Sequence, residues 1–337
     1  MAASSRLARS IVTLTLACLL MYTPVRGVRA VEDGEAAFEW LARMSHAGMM
    51  LNYDGYLLYQ AGGKVEPMRV IYRGGKTGAK ARMISLAGEK REVIIDSDSV
   101  ICVLPDDRAT VKTEGKKKRT ALFSRLEGVE QDPERKQQLR TYYHLDVQDG
   151  GRVADRETTL VSVLPRDKNR YGHRLFLDKQ TGLLLRSQLL TPDLMTLEDF
   201  MYASIAILPA VDDDLLRPHL EGRSYAMSTT EVAAEAPLEA KWRVKWLPPG
   251  FEMAERVRDQ GMVPEMPVEH HVYSDGLSSI SVFVEQLEPD AEKLDGLSTI
   301  GAVNAFGCMI DGFQITAVGE IPGMTAARVC RSVMPVR

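Results

Sequence analysis

The chain has 337 residues, of which 45% are hydrophobic and 26% are charged, and this composition is typical of a folded protein rather than a disordered one. That length accommodates two or three domains. The formal net charge is −4, so no overall positive field favours nucleic acid, and each basic run has to be judged locally.

The first thirty residues have the layout of a secretory signal. Arg6 and Arg9 precede the apolar run SIVTLTLACLLMY, and Val28 and Ala30 hold the −3 and −1 positions of a signal peptidase site. We predict a signal peptide over residues 1–30, cleavage after Ala30 and export to the periplasm. A lipoprotein signal ending at Cys18 is disfavoured because this cysteine lies inside the apolar run. The run is also short for an uncleaved membrane anchor.

Residues 31–214 are predicted to form one large domain that begins with a helix. In GEAAFEWLARMSHAGMMLNY the apolar residues Phe38 and Leu41 begin a pattern with helical spacing. The period then changes to two, and YDGYLLYQAGGKVEPMRVIYRGG reads as two strands joined by a turn at Gly62 and Gly63. The segments ARMISLAG, KREVIIDSDSVICVLPD and TTLVSVLPRD continue the strand pattern.

A second helix is predicted between these strands, in DPERKQQLRTYYHL. Asp132 can cap its first turn, and Pro133 suits the first helical position.

Residues 173–190, HRLFLDKQTGLLLRSQLL, contain a polar segment that could form either a functional loop or a simple turn. Asp178–Gly182 supplies a short carboxylate and then a glycine that permits positive φ, which is turn chemistry. A phosphate loop is disfavoured because glycine occurs once and no helix follows. We therefore predict a hairpin, with Leu183, Leu185 and Leu189 on one face of its second strand.

The remainder divides into a cover, a linker and a small domain. Residues 193–208 are predicted to be a short helix or irregular cover, and residues 215–239, poor in periodic apolar residues, an interdomain linker. Residues 240–337 are predicted to form a small α+β domain with two hairpins that turn at Asp-Gly pairs, one of them Asp275-Gly276. The closing segment GMTAARVCRSV is predicted to be a helix.

Three cysteines remain after signal cleavage, namely Cys102, Cys308 and Cys330. Cys308 and Cys330 are close enough in sequence to pair, and such a bridge would stabilise the fold by about 3 kcal/mol. Three free thiols are an equally acceptable outcome. No CxxC pair occurs, so neither a redox site nor a cysteine-based zinc site is indicated.

Signals for catalysis and for metal binding are weak. His270 and His271 are adjacent, so in a strand they point to opposite faces and cannot bind one metal together. No G-x-S-x-G element is present, and the acidic triplet and the DSD run lie among loop signals. We predict no enzymatic activity, no cofactor and no metal.

Two surfaces could carry a binding function instead. The run GKKKR contains Lys116, Lys117, Lys118 and Arg119, which is either a solvated loop or a contact for lipid phosphates or an acidic peptide. A curled antiparallel sheet could also enclose an apolar hollow for acyl chains, although such residues are more often plain core. The residues predicted to line this hollow are Tyr56, Leu58, Met68, Val70, Tyr72, Leu183 and Leu185.

Six segments occur in the order seen in one family of proteins. They are NYDGYLLYQAGGKVEPMRVIYR, REVIIDSDSVICVLPD, LFLDKQTGLLLRSQLL, WLPPGF, VYSDGLSSISVFVE and IDGFQITAVGEIP. Each alone is a common hairpin or corner, but the six in order resemble the MucB/RseB family of periplasmic regulators of sigma-E-type factors. The resemblance covers nearly the whole chain after the signal. The GKKKR region and the cysteine pair do not match a family pattern.

This resemblance implies a fold and a function. The large domain would be an antiparallel β half-barrel covered by helices, similar to the lipoprotein carriers LolA and LolB, with the small domain beside it. The protein would bind the periplasmic domain of a membrane-bound anti-sigma factor and shield it from the site-1 protease, and lipid or lipopolysaccharide would relieve this protection. A periplasmic lipid or lipoprotein carrier is the alternative, and homo-oligomerisation is left open.

Overall fold

The structure is a computed structural model in which α-helices and strands follow one another from residue 26 to residue 335. It describes residues 26–75, 78–96, 99–103, 110–114, 128–219, 224–228, 241–259, 268–287, 291 and 293–336. The helices are α1 (Arg26–Met50), α2 (Pro133–Tyr142) and α3 (Gly323–Arg331).

Most strands belong to two sheets, one in each domain. Those of the large domain are β1 (Asn52–Ala61), β2 (Lys64–Arg73), β3 (Lys80–Ser85), β4 (Glu92–Ile95), β5 (Ser99–Val103), β6 (Thr110–Glu114), β7 (Tyr143–Val153), β8 (Arg156–Pro165), β9 (Gly172–Asp178), β10 (Leu184–Leu190), β11 (Thr196–Leu208) and β12 (Ser224–Ser228). Those of the small domain are β13 (Trp242–Val244), β14 (Glu252–Asp259), β15 (Val268–Ser274), β16 (Ser279–Glu285), β17 (Gly296–Ile300), β18 (Val303–Ile310), β19 (Phe313–Gly319) and β20 (Val333–Pro335).

The large sheet has twelve strands among the described residues, in the order β12-β6-β5-β4-β3-β2-β1-β11-β10-β9-β8-β7. Strands β1 to β6 progress towards one edge, and the chain then restarts at the other edge and returns until β11 pairs with β1. Neighbours are antiparallel except β6 and β12, which pair in parallel. The predicted class, a large antiparallel sheet with few helices plus a small α+β domain, is confirmed.

Helix α1 covers one face of this sheet. Ala37, Phe38, Leu41 and Met44 are fully buried in a core cluster with residues of α2 and of strands β7 to β10. This spacing is the one predicted from the sequence. The helix begins at Arg26, so the predicted cleavage site after Ala30 falls within its first turns, and the cleavage itself stays a prediction.

Helix α2 begins as its sequence indicates. The Asp132 carboxylate accepts hydrogen bonds from the backbone N–H groups of Glu134 and Arg135, each at 3.1 Å, and Pro133 occupies the first turn. These bonds satisfy two of the four N–H groups that a helix start leaves without partners.

One segment prediction is wrong. Residues 196–208 are neither helix nor irregular cover but the strand β11, because β1 and β10 both offer it a backbone edge and Tyr202 reaches the core. The linker over residues 215–239 stays a prediction, and within it Ser224–Ser228 forms strand β12, which pairs with β6 of the large sheet. Neither pairing leaves a local signal in these segments, because both depend on partners distant in sequence.

The small domain is a six-stranded sheet, in the order β14-β15-β16-β19-β18-β17, with α3 on one face. Both predicted Asp-Gly hairpins and the predicted closing helix are confirmed. Ala326, Val329 and Cys330 of α3 are fully buried against the sheet. Cys308 of β18 and Cys330 form a disulfide, so the outcome that the sequence left open is the paired one in this structure.

Candidate functional site

The loop Asp178–Gly182 is a turn, as predicted. Asp178 is buried, and its Oδ2 accepts hydrogen bonds from Arg156 Nη2 at 2.9 Å, Thr181 N at 3.1 Å and Thr181 Oγ1 at 2.6 Å. Burial alone would raise the pKa of this carboxyl, but the Arg156 and Thr181 bonds hold it below its usual range. Gly182 has φ near +80°, and an added Cβ would lie 2.9 Å from Arg43 on α1. Asp178 and Gly182 therefore serve the structure of the turn and its packing against Arg156 and α1.

The seven residues predicted to line one apolar hollow lie on two faces of the large sheet. Met68, Val70 and Tyr72 pair directly with Leu57, Gly55 and Tyr53, and they share with them the face that α1 covers, called here the inner face. Leu183 and Leu185 pack into the same cluster.

Tyr56 and Leu58 pair with Arg69 and Pro67 on the opposite, outer face, so their assignment to the hollow is wrong. In a hairpin with a two-residue turn, an even-numbered residue of one strand pairs with an odd-numbered residue of the other. Even-numbered residues of β1 therefore lie on the same face of the sheet as odd-numbered residues of β2.

The leucines of β10 also divide between the faces. The pairing of β10 with β9 shifts between Leu184 and Arg186, which inserts one extra residue. Such a bulge reverses the alternation that follows it. Leu189 consequently lies in a separate cluster with Tyr171, away from Leu183 and Leu185, and the prediction that the three leucines share a face is wrong.

The protein's own side chains fill most of the inner face. Leu185 is fully buried, and Leu183 and Val70 are nearly so. Tyr53 stacks on Tyr72 with ring centroids 4.9 Å apart, and the Tyr72 hydroxyl donates to Gly48 O of α1 at 2.5 Å. Among the predicted lining residues on the inner face, Met68 and Tyr72 are half-buried, so a ligand could contact them without displacing the fully buried core.

Around Tyr56 the outer face is polar, whereas Ile71 on the same face is fully buried in an apolar cluster with Val211 and Leu216. Arg69 makes a bidentate pair with Asp54 at 2.7 and 3.0 Å, and Arg186 makes one with Asp199 at 2.6 and 3.0 Å. Tyr56, which is 46% exposed, lies beside this row with the Arg69 guanidinium 5.8 Å from its ring centroid. This part of the outer face, around Tyr56, has the character of a solvated surface rather than of a hollow.

The basic run Lys116, Lys117, Lys118 and Arg119 lies outside the described residues. Its contact with anionic groups stays a prediction.

The adjacent histidines serve the structure of the small domain. His270 stacks on Phe283 with centroids 4.1 Å apart, whereas His271 is buried with Nε2 2.6 Å from Glu269 Oε1 and Nδ1 3.2 Å from the Tyr273 hydroxyl. Across the part of the chain that the structure describes, no three His, Cys, Asp or Glu residues are grouped to hold a metal ion.

A fully buried polar site lies between the two domains, and sequence reasoning missed it. Arg170, in the loop between β8 and β9, is fully buried. Its guanidinium bonds to Asp275 Oδ2 at 2.5 Å, to Asp167 at 2.9 Å and to the Pro249 carbonyl at 2.6 Å. We call Tyr143, Asp167, Arg170, Pro249 and Asp275 the junction cluster. A lone arginine between two polar residues in the sequence carries no sign of such burial.

Asp275 of the junction cluster serves both domains at once. Its Oδ1 accepts the backbone N–H groups of Leu277 at 3.0 Å and Ser278 at 2.7 Å, which shapes the β15–β16 turn. Its Oδ2 accepts both the Arg170 guanidinium and the Tyr143 hydroxyl, the latter at 2.7 Å. Burial and the adjacent Asp275 charge raise the pKa of Tyr143 well above its usual value. Leu277, at the tip of the turn, packs into the core of the large domain.

Further contacts extend the junction along both domains. Ala302 N donates to Glu198 Oε1 at 2.9 Å, and Asn304 Nδ2 donates to the Tyr171 hydroxyl at 2.9 Å. Gly250 lies against Tyr142, where an added Cβ would come within 2.2 Å of the ring. These contacts join the two domains at several points besides the junction cluster.

The fold and the junction define a class of protein: a two-domain, sheet-rich protein in which a buried polar cluster joins the domains. Comparison with known proteins agrees with that class. The family model described as MucB/RseB N-terminal domain matches residues 36–220, and the MucB/RseB C-terminal domain matches residues 236–334. The chain belongs to the MucB/RseB family, as its segments indicated.

Curated relatives and solved structures agree over most of the chain. Sigma factor AlgU regulatory protein MucB of Pseudomonas aeruginosa is 30% identical over 329 residues, covering 95% of this chain and 98% of MucB. Sigma-E factor regulatory protein RseB of Salmonella typhimurium is 26% identical over 297 residues, covering 87% and 89%.

Two solved structures of MucB are similar to this one. MucB in complex with MucA(peri) superposes with a TM-score of 0.65 at 27% identity, covering 89% of this chain and 99% of that one. A second structure, described as the crystal structure of MucB, gives a TM-score of 0.56 at 27% identity, covering 89% of this chain and 98% of that one.

Proposed function

We propose that this chain is a negative regulator of an envelope-stress sigma factor and acts by binding the periplasmic domain of a MucA-like anti-sigma factor. The match to MucB carries the proposal: it runs through both domains and 98% of the length of MucB, and the MucB chain of a structure with MucA(peri) superposes on this chain with a TM-score of 0.65. A shared two-domain surface is what a common partner would require.

The junction supports a regulator rather than a carrier. A carrier needs only the large domain, whereas here the small domain contributes Leu277 to the core of the large one and Asp275 to a buried ion pair. Those contacts hold the two domains as one unit for a partner that spans them. A partner segment held on that surface would be inaccessible to the site-1 protease, which is the proposed protective effect.

We further propose that lipid or lipopolysaccharide releases the partner by linkage. A ligand that prefers the partner-free form weakens partner binding by its difference in affinity for the two forms. Because the inner face is largely filled, an acyl chain would enter between α1 and β2, where Met68 and Tyr72 are half-buried. Each CH₂ group buried there would contribute about 0.8 kcal/mol, so the sensitivity should rise with chain length.

Export is part of the proposal. The signal pattern over residues 1–30 indicates the periplasm. Among the helices of the described residues, none is long and apolar enough to cross a membrane. Mass spectrometry of the protein recovered from a periplasmic extract should find Val31 as the first residue, and recovery of intact Met1 in the membrane fraction would contradict export with cleavage.

A binding and protection assay tests the core of the proposal. The chain is mixed with the purified periplasmic domain of its cognate anti-sigma factor, and the site-1 protease is then added. We expect a stable complex and slower cleavage of that domain. Absence of a complex would refute the proposed function, whereas a complex that leaves the cleavage rate unchanged would refute the protection alone.

The release step is tested in the same assay with lipids of increasing acyl length. Longer chains should restore cleavage at lower concentration. Tyr72→Phe removes the hydrogen bond to Gly48 that holds β2 to α1, so it should lower the lipid concentration needed. The exposed Tyr56→Phe is the matched control and should not change it. Equal responses to short and long chains would contradict an acyl-binding inner face.

A further inference from the structure

Helix α3 carries an outward-facing stripe whose residues are exposed or only partly buried. Met324, Ala327, Arg328 and Arg331 recur three and four residues apart, and the opposite side of the helix is buried on the sheet. With Trp246 and Ser332 they line a cleft of about 460 Å³ that opens to solvent. We call this cleft the α3 groove.

Hydrogen bonds and a cation–π contact fix the positions of the residues that line the α3 groove. Trp246 N donates to Ser332 Oγ at 3.1 Å, and Ser332 Oγ in turn bonds to Val329 O at 2.8 Å, which fixes the tryptophan beside the end of α3. The Arg328 guanidinium then lies 3.8 Å from the Trp246 ring centroid, within cation–π range. Both groups are therefore held in place before any partner arrives.

The positive charge of the groove comes from Arg328 and Arg331. Neither Arg328 nor Arg331 forms an ion pair with a carboxylate of the described residues, and Arg331 lies instead over the Phe306 ring at 4.8 Å. Cations near a helix C-terminus are favoured by the helix dipole, which explains why arginines are tolerated there. The dipole does not explain why Met324 stays 81% exposed beside them.

Composition and depth indicate the kind of occupant. Tryptophan, arginine and methionine are the residues enriched at protein interfaces, and tryptophan and arginine dominate their binding energy. An acyl chain would need a deep apolar cavity, but Ala326, Val329 and Cys330 close the space beneath the helix. The groove therefore suits a short peptide segment better than a lipid.

We propose that the α3 groove binds an acidic segment of a polypeptide partner, with carboxylates on Arg328 and Arg331 and an apolar side chain between Met324 and Trp246. The proposal rests on the proposed function, because the partner in question is the periplasmic domain of the anti-sigma factor. It assigns to α3 a contact that lies on the small domain alone, away from the junction cluster.

The test measures binding of the full chain, without its predicted signal, to the cognate anti-sigma periplasmic domain by calorimetry at two salt concentrations. Arg328→Glu/Arg331→Glu should weaken binding at least tenfold at low salt, with a smaller loss at high salt. Met324→Ala, at an exposed position, should weaken it about threefold with no change in salt dependence. Arg152→Glu/Arg217→Glu makes the same charge change at two exposed arginines elsewhere and should leave binding unchanged.

The outcomes separate this inference from the function on which it rests. If the unmodified chain binds the domain and the Arg328/Arg331 variant binds equally well, the α3 groove is not a contact although the proposed function stands. If the unmodified chain does not bind, both fail. A further arm uses vesicles of phosphatidylglycerol and phosphatidylethanolamine. Loss of vesicle binding in the variant, with partner binding intact, would overturn the peptide proposal in favour of a lipid headgroup. Far-ultraviolet circular dichroism checks that each variant is folded.

Discussion

The inner face of the large sheet and the junction between the domains achieve burial by different chemistry. The inner face buries the aliphatic side chains of leucine and valine and the rings of tyrosine, which come from neighbouring strands and lie under α1. The junction instead buries a charged arginine, and it does so by surrounding Arg170 with two carboxylates, a carbonyl and aromatic rings 5.1–5.5 Å from the guanidinium. Apolar burial tolerates small rearrangements, whereas a buried ion pair requires every partner to be in place. We therefore expect substitutions in the junction to lower the free energy of unfolding more than substitutions on the inner face.

Removing the arginine should give the largest effect. Arg170→Met leaves Asp275 buried with one remaining side-chain donor, so we expect the free energy of unfolding to fall by about 3–5 kcal/mol in urea titrations. Arg170→Met/Asp275→Asn removes both charges and keeps an oxygen for the turn, so it should recover most of that loss. Arg152→Met, at an exposed arginine, is the matched control. A loss below about 1 kcal/mol for Arg170→Met would show that the junction is not a strong constraint.

Truncating a core leucine of the inner face should cost somewhat less. Leu185→Ala at this fully buried position should lower the unfolding free energy by about 3 kcal/mol, through lost burial and the cavity left behind. Leu58→Ala makes the same chemical change on the outer face and should cost under about 1 kcal/mol because that side chain is 38% exposed. Equal losses at the two positions would contradict the division of the predicted hollow between two faces.

Removing the Tyr143 hydroxyl tests how much a single hydrogen bond contributes to the stability of the junction. Tyr143→Phe keeps the ring but deletes the bond to Asp275 Oδ2, so we expect a loss of about 2 kcal/mol in the same titrations. The neighbouring Tyr142→Phe also keeps its ring beside Arg170 and should change little. If both variants behave alike, the hydroxyl bond does not contribute to holding the domains.

The loss of stability at alkaline pH should be the smallest of these effects. It should arise in both regions, because each contains a buried tyrosine whose pKa is raised. Burial raises the pKa of Tyr202 on the inner face to about 12, from an ordinary value of 10.0. Above pH 10 the unfolded state releases this proton while the folded state keeps it. Stability present below pH 10 is therefore lost as pH rises towards 12, at about 1.4 kcal/mol per pH unit. Tyr202→Phe should reduce that slope in denaturation measured between pH 9 and 11, and an unchanged slope would contradict the burial of this phenol.

Much of the local structure could be predicted from the sequence. The spacing of Phe38 and Leu41 predicted α1, Asp132 and Pro133 predicted the start of α2, and the Asp-Gly pairs located two hairpins of the small domain. Each of these signals depends on residues a few positions apart, within the range of backbone and turn chemistry.

The errors came from long-range pairing. Strand β11 was missed because its pattern makes sense only between β1 and β10. The predicted hollow combined residues of two faces, because the prediction did not place Tyr56 and Leu58 in the register that the Gly62-Gly63 turn imposes. A parity argument from that turn would have separated them, whereas the bulge in β10 had no such signal.

By itself, the sequence determined the family, the two-domain plan and most helices and hairpins, because these depend on local spacing and on segments kept in order. Tertiary structure alone decided which side chains share a face, that Cys308 and Cys330 meet, and that Arg170 is buried beside Asp275. The physical reason is distance along the chain. Arg170 and Asp275 are 105 residues apart, and no local pattern records a contact that forms only when two separately folded domains pack together.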